Sequence, residues 1–321
     1  MPTTQPFHQT PEACAILGVE YRGVELSQRT LGAQLARTRA LPGALIVRVP
    51  RFGRGLTDAD RVAAVAALRS IADEARVVRV HVEVYSENPE EHAALERELA
   101  SAGFSRPDVN RSYTHTLWMD LEPSEEELLA AIHRSARRNV RLPARRGFVI
   151  ESLPASTSIE NLSALYAEAF ESTGSAVPPV DWQGWLDLSL QRPDLLHMVG
   201  LRHEDEQEWL GFAVGVSHGD VVEYHHAAST RRRDTNVPLL YAPLWELIRW
   251  AKSRGARWFD FGGVTVQDPD SEDPLGGISD FKRFFCRELV TAGGEWVLDP
   301  PSVAGRLWKT ARLLKDAAGG G

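Results

Sequence analysis

Two hydrophobic periods alternate along the chain, and their alternation predicts an α/β protein. Val77–Tyr85 reads VVRVHVEVY, with apolar Val78, Val80, Val82 and Val84 separated by polar residues, the pattern of a strand with one wetter face. Residues 43–49 (GALIVRV) form a second β-branched run that stops at Pro50, and residues 113–121 form a third. Between them, residues 57–75 place Val62, Val65, Ala66, Leu68 and Ile71 at helical spacing behind a Thr/Asp start. Residues 88–102 carry Pro89 in their first turn and Gly103 after their end. Pro123-Ser124-Glu125-Glu126-Glu127 has the spacing of a capping box and predicts a helix running to about Leu142, with Pro143 and Gly147 closing it. The second half repeats this order. Residues 148–153 predict a strand, 159–170 and 181–190 helices, and 195–201, 208–217 and 221–228 three successive strands. Residues 237–254 then predict a long helix, 257–261 a strand, 277–285 a short helix, 288–298 a strand and 303–317 a closing basic helix. The domain boundary is expected near residue 147.

Length and composition add limits rather than detail. A chain of 321 residues favours two domains over one core. No stretch approaches the roughly 18 apolar residues of a membrane span. The first ten residues lack the basic start and apolar run of a signal peptide, so a cytoplasmic location is the default expectation. Cys14 and Cys286 are the only cysteines, which excludes a disulfide scaffold and a cysteine-rich metal site. The net charge of −8 argues against a general nucleic-acid coat but not against a local basic site.

Three segments carry candidate chemistry. Residues 133–147 hold six arginines and no acid, with Arg134, Arg138 and Arg141 on one helical face. Like charges at this spacing repel, so the row needs a partner. Either solvent and the acidic first turn at residues 122–127 supply it, or the row is an anion site whose guanidinium forks suit phosphate oxygens. The turn entering the long helix, Arg231-Arg232-Arg233-Asp234 through Asn236, has no glycine anywhere between Gly219 and Gly255. A Gly-rich loop that grips the pyrophosphate of coenzyme A is therefore missing, which argues against ordinary CoA use. Third, Trp258-Phe259-Asp260-Phe261-Gly262-Gly263 precedes Phe281-Lys282-Arg283-Phe284-Phe285, where a lysine sits among phenylalanines. Lys282 is either a surface cation on an amphipathic helix or a cation in a partly apolar pocket, fit to meet a carboxylate, phosphate or developing oxyanion. His225-His226 is a poor metal pair on a strand, because neighbouring residues there point to opposite faces. No nucleotide-binding P-loop, dinucleotide fingerprint or nucleophile elbow occurs.

The run from Leu121 to Gly147, centred on Arg138-Asn139-Val140, resembles the segment linking the two domains of FemABX aminoacyltransferases. The run from Val222 to Gly263, with Tyr224, Pro238, Tyr241, Trp250-Ala251-Lys252 and Phe259-Asp260-Phe261-Gly262-Gly263, is similar to that family as well, and so is Phe281-Lys282 followed by Phe285. The resemblance implies two tandem GNAT-like (acyl-CoA N-acyltransferase) domains with mixed central sheets. Their expected bounds are 1–147 together with 299–321, and 148–298, with the C-terminal helix packing back on the first. It implies transfer of an amino acid from aminoacyl-tRNA, as co-substrate and without a separate cofactor or metal, to an amine of a UDP-linked or lipid-linked peptidoglycan precursor. Lys282 would meet the acceptor end or the oxyanion, with Asp260 a candidate base. Arg138, Asn139, Tyr224, Tyr241, Phe281 and Arg283 would contact substrate. The rival expectation is an N-acyltransferase on the same fold acting on another amine, in polysaccharide or secondary metabolism, with coenzyme A as one donor open to it. The basic closing helix leaves two readings open, contact with an anionic membrane or a solvated amphipathic helix.

Overall fold

The computed structural model describes residues 5–110, 112–171, 176–231, 236–266 and 276–318, with side chains of the last helix described to residue 311. The chain forms two compact units, Met1–Thr114 with Thr291–Gly321, and His115–Val290. In the first unit, α1 (Pro11–Ile16) leads to β1 (Glu20–Glu25), β2 (Thr30–Arg37) and β3 (Leu45–Gly53). These are followed by α2 (Asp58–Ala72), β4 (Val77–Tyr85) and α3 (Pro89–Ser101). The second unit holds β5 (His115–Asp120), α4 (Glu125–Ala131), α5 (Arg134–Arg141), β6 (Phe148–Ser152), α6 (Ile159–Glu171) and α7 (Trp182–Gln191). It continues with β7 (Leu196–His203), β8 (Gly211–Ser217), β9 (Val221–Ser229), α8 (Tyr241–Ser253), β10 (Trp258–Gly263), α9 (Gly276–Arg283) and β11 (Leu289–Thr291). The chain then returns to the first unit as β12 (Gly293–Leu298) and α10 (Val303–Ala318).

The sheet of the first unit runs β1-β2-β3-β4-β12, with β3 and β4 parallel and the other pairs antiparallel. Its helix starts are chemically plain: Thr57 caps α2 and Asn88 caps α3, each side chain accepting a backbone N–H of the first turn. Val47, Val49, Val80, Val82 and Val84 pack one face against Leu68, Ile71, Leu95 and Leu99 of these helices. The other face buries Val78 with Trp308 of α10. The Trp308 indole donates to Thr38 Oγ1 at 3.2 Å and lies under the Arg79 guanidinium, which forks onto Asp299 at 2.6 and 2.7 Å. The expected return of the C-terminal helix to the first domain is therefore what the fold shows. Trp308 is buried while Leu307 is exposed; Arg312, Leu313, Leu314 and Lys315 lie outside the residues whose side chains are described. Among the described residues, no helix is long and apolar enough to cross a membrane.

The second sheet runs β11-β5-β10-β9-β8-β7-β6, parallel only at β9–β10 among the pairings described. The unit boundaries differ from the expected 147/148 and 298/299. The strand at His115–Asp120 pairs with β10, so it belongs to the second unit with the helices that follow it. The run expected as one strand over 288–298 is two, and its second part pairs with β4 from Gly293↔Tyr85 to Leu298↔Val80. Pairing partners distant in sequence decide both points, and periodicity does not name them. Strands β1 and β2 form from residues 20–25 and 30–37, where the periodicity predicts no element. The helix expected to reach Leu142 breaks at Ile132, whose ψ of 159° is extended. There the His133 N–H bonds Phe284 O at 2.8 Å instead of a helical carbonyl, and its imidazole caps α5 by accepting from Ser135 N. Pro50, expected to end a strand, lies inside β3 at a register shift between Val49 and Phe52.

Candidate functional site

The predicted residues of the second unit converge where β9 and β10 part. Their parallel pairing covers Trp258↔Val221 to Asp260↔Glu223, after which β10 turns toward β5 through a bulge. Gly262 makes that turn with φ +72°, and a Cβ there would meet Tyr224 O at 3.3 Å and Lys282 Nζ at 3.6 Å. Two requirements, the left-handed backbone and the close approach, thus select glycine at one position. Asp260 is fully buried, and its Oδ1 accepts from Gly262 N at 2.7 Å and from Thr116 Oγ1. Thr116 Oγ1 also lies 2.9 Å from Gly262 O. Asp260 is therefore the anchor of the turn, with at least one oxygen committed to it.

Helix α9 carries Lys282 into this turn. Ser279, fully buried, pins the helix to Thr265 through hydrogen bonds of 3.1 and 3.2 Å. Lys282 is 7% exposed and donates to Gly263 O at 2.7 Å. Burial pushes its ammonium down to about 8, against the opposing pull of Asp260 and Glu223. The pocket expectation for Lys282 fits this placement and the surface one does not. Arg283, by contrast, is turned to Thr265 O and Asp280.

The aromatic side of the site is built from the neighbouring helices. Tyr241, first residue of α8, stands edge-on to Phe281 at 4.9 Å and near Phe285 at 5.6 Å. Its hydroxyl is hydrogen-bonded with buried Asn139 of α5; burial pushes the phenol up and this bond opposes the shift. Arg138 Nε reaches Asn139 Oδ1 at 3.4 Å, so Arg138, Asn139, Tyr241 and Phe281 form one connected series. Tyr224 follows Glu223 on β9, and burial raises its phenol far above the ordinary range.

The arginine row lies on the exposed face of α5 and the short 3₁₀ turn after it, with Arg134, Arg138, Arg141, Arg145 and Arg146 all exposed. The acidic segment before it is engaged elsewhere. Glu125 meets Arg249 at 2.8 Å, Glu122 meets Arg257 at 2.6 Å, and Glu127 closes the capping box with Ser124. Among the described residues, none of those five arginines has a carboxylate within ion-pair distance. Of the second basic run, Arg232, Arg233 and Asp234 lie outside the described residues. A cavity of about 570 Å³ is lined by Trp118, Leu128, His133, Phe284 and Cys286 among others, and Lys282, Tyr224 and Tyr241 are not part of its lining. The titratable groups converge on the strand gap, not on that cavity.

One expectation about β9 is overturned. The register of β8 and β9 slips between Gly215↔Tyr224 and Val214↔His226, leaving His225 as the extra residue of a bulge. His225 and His226 consequently come together. Their rings are 4.3 Å apart and both contact Trp185 of α7. The strict alternation that separated them in sequence does not hold here. Glu223, buried at 4% exposure, also escaped the sequence reading, as did the groups it binds: His218 Nε2 at 2.7 Å and His225 Nδ1 at 3.3 Å. Only its charge within an apolar strand could have singled it out.

Residues 129–283 match the sequence family described as the acetyltransferase (GNAT) domain. The crystal structure of FemX superposes with a TM-score of 0.72 at 15% identity, covering 94% of both chains. Residues 129–283 therefore form a GNAT domain within a FemX-like fold. The same fold recurs in the C-terminal domain of a putative lysylphosphatidylglycerol synthetase from Agrobacterium fabrum, with a TM-score of 0.57, 13% identity, and 99% of this chain and 93% of that one covered. It recurs again in L-PGS from Bacillus licheniformis, with a TM-score of 0.52, 14% identity, and coverage of 92% and 89%. No curated protein sequence matches the chain. This FemX-like architecture accommodates the two mixed sheets, and the GNAT match spans the α5 arginines, the β9–β10 gap and Lys282 together.

Proposed function

We propose that the protein moves an amino acid from aminoacyl-tRNA onto an amine of a peptidoglycan precursor, soluble or lipid-linked. The observation that carries this reading is the buried Lys282 ammonium beside the Gly262–Gly263 turn at the β9–β10 gap. The ester of an aminoacyl-tRNA is already activated, so the site has to align amine and ester and stabilise the charge that develops. The acceptor nitrogen adds to the ester carbonyl carbon, and negative charge collects on the carbonyl oxygen. Lys282, a cation in a largely dry setting, stabilises that oxygen. The bond from carbon to the ribose oxygen then breaks, leaving an amide and a free tRNA hydroxyl. The exposed arginines of α5, without carboxylate partners among the described residues, suit the phosphates of a tRNA acceptor end. The lack of glycine between Gly219 and Gly255 disfavours coenzyme A as donor.

The test is transfer of radiolabelled amino acids from a pool of charged tRNA to soluble and lipid-linked precursors, comparing wild type with Lys282→Met. Label on a precursor, reduced at least about 100-fold in the variant, is the expected outcome. Turnover of an acyl-CoA with no transfer from any charged tRNA overturns the reading and favours the rival N-acyltransferase.

A further inference from the structure

Glu223, whose charge Lys282 feels, also anchors a second constellation that the lysine chemistry does not use. The Glu223 carboxylate bridges two imidazoles, with Oε2 at 2.7 Å from His218 Nε2 and Oε1 at 3.3 Å from His225 Nδ1. Glu223 and His218 are almost wholly buried, while 19% of the His225 side chain is exposed. Trp185, buried, stacks on His225 with the ring planes 19° apart and the centroids 5.3 Å apart. The bulge at His225 interrupts the alternation of β9 just after Glu223 and Tyr224, where this ring meets the carboxylate. Glu223 pairs in register with Asp260, and its charge is felt by Lys282.

A carboxylate on one imidazole nitrogen selects the tautomer in which that nitrogen carries the proton, and it stabilises the imidazolium that forms when the other nitrogen accepts one. We propose that His225 is the general base and then the general acid of acyl transfer, with Glu223 and Trp185 as the residues that position it. The proposal rests on the acyl-transfer reading of this site but not on the identity of the donor. In the step, the amine nitrogen adds to the ester or thioester carbonyl and His225 Nε2 takes the proton that nitrogen must lose. The carbon–oxygen or carbon–sulfur bond then breaks, and the imidazolium returns the proton to the leaving oxygen or sulfur. An amide and a neutral His225 result, and Lys282 holds the oxyanion between the two transfers. Among the described residues of this unit, His218 shares the Glu223 carboxylate with His225, His226 lies beside it on β9, and Tyr166 of α6 packs on His226. His226 is held neutral near pH 7, first by burial and then by His225.

Two measurements on the full chain test the assignment. In the first, diethyl pyrocarbonate labels unprotonated imidazoles, read by peptide mass spectrometry with exposed His133 as internal standard. Labelling of His225 whose rate relative to His133 changes in Glu223→Gln supports the dyad. A His225 left unlabelled while His133 reacts, or a relative rate unmoved by Glu223→Gln, overturns it. In the second, turnover is followed with aminoacyl-tRNA and with acetyl-CoA. His225→Gln, which keeps the side chain polar and close in size, should lower kcat by about 10²–10⁴ with KM little changed and abolish the acid limb of the pH profile. Full kcat in His225→Gln overturns the proposal whichever donor works. Turnover with acetyl-CoA alone, slowed by His225→Gln to the same extent, overturns the aminoacyl-tRNA reading while supporting His225.

Discussion

Lys282 joins stability and chemistry in one side chain. Its folded pKa of about 8 lies below the ordinary 10.5, so between those values the unfolded chain binds the proton more tightly. Stability therefore rises as pH climbs through that window, and below it the charged, buried lysine costs about 3 kcal/mol, by the free energy of a shift of this size. Lys282→Met removes that cost along with one hydrogen bond. We predict a protein about 1–3 kcal/mol more stable than wild type at pH 7, by denaturant unfolding, and nearly inactive, a trade expected of strained functional groups. The lysine is charged below about pH 8, so transfer should decline above that pH through loss of the oxyanion partner. A rate still climbing well past pH 8 would show that Lys282 does not act as a cation. Gly262 imposes a different constraint. Its φ of +72° and the 3.3 Å separation from Tyr224 O leave no comfortable place for a methyl group. Gly262→Ala should cost about 1–3 kcal/mol, and it should impair kcat more than KM because the turn carries the lysine's acceptor.

At the scale of elements, α5 divides its two faces between different tasks. Ala136 joins the core, and Asn139 bonds Tyr241 at the start of α8. The arginines face outward. Replacing Arg134 and Arg141 together with Ala should leave the fold intact and weaken tRNA binding. The slope of log K against log salt should become shallower by about 0.7 for each phosphate no longer neutralised, measured by filter binding from about 50 to 200 mM salt. An unchanged slope would assign the row to solvent. The break between α4 and α5 belongs to this scale too, because the His133 N–H is bonded to Phe284 O and not to the helix. The end of the lysine-bearing segment thereby fixes where the arginine helix begins. Helix α10 is held through Trp308, with Arg79 above it and Thr38 at its indole nitrogen. Trp308→Ala should destabilise the first unit by about 3–5 kcal/mol, visible as a lower unfolding midpoint for probes in that unit.

On the scale of the whole molecule, the chain leaves the first unit after Thr114 and returns at Thr291. The second unit is thus one continuous segment, whereas the first is made of two. Residues 115–290 expressed alone should fold cooperatively. Residues 1–114 alone lack both β12, the partner of β4, and α10, which covers Val78. That fragment should remain unfolded by circular dichroism and amide exchange until residues 291–321 are supplied. A folded 1–114 fragment would show that the β12 edge and the Trp308 packing are dispensable.

Where a cause acts within a few residues, the sequence was enough. Helix starts at Thr57, Asn88, Ser124 and Asp181 follow from side chains that cap a backbone N–H two or three positions on. The strand at Val77–Tyr85 follows from an alternation that a pleated backbone enforces. Lys282 was legible as a cation among phenylalanines, because short spacings carry that pattern, whereas the helix expected from residue 237 begins only at Tyr241. What needed tertiary structure was every choice among distant partners. Whether residues 115–120 join the first sheet or the second depends on β10, far along the chain at Trp258–Gly263, and local periodicity is blind to that choice. The Glu223–His225 dyad was hidden for a related reason. Alternation alone puts residues 223 and 225 on one face of β9, but the contact between their side chains and the Trp185 ring stacked on His225 are tertiary facts. Local sequence determines which elements form, whereas a site built at the junction of several strands is decided by how those strands pair.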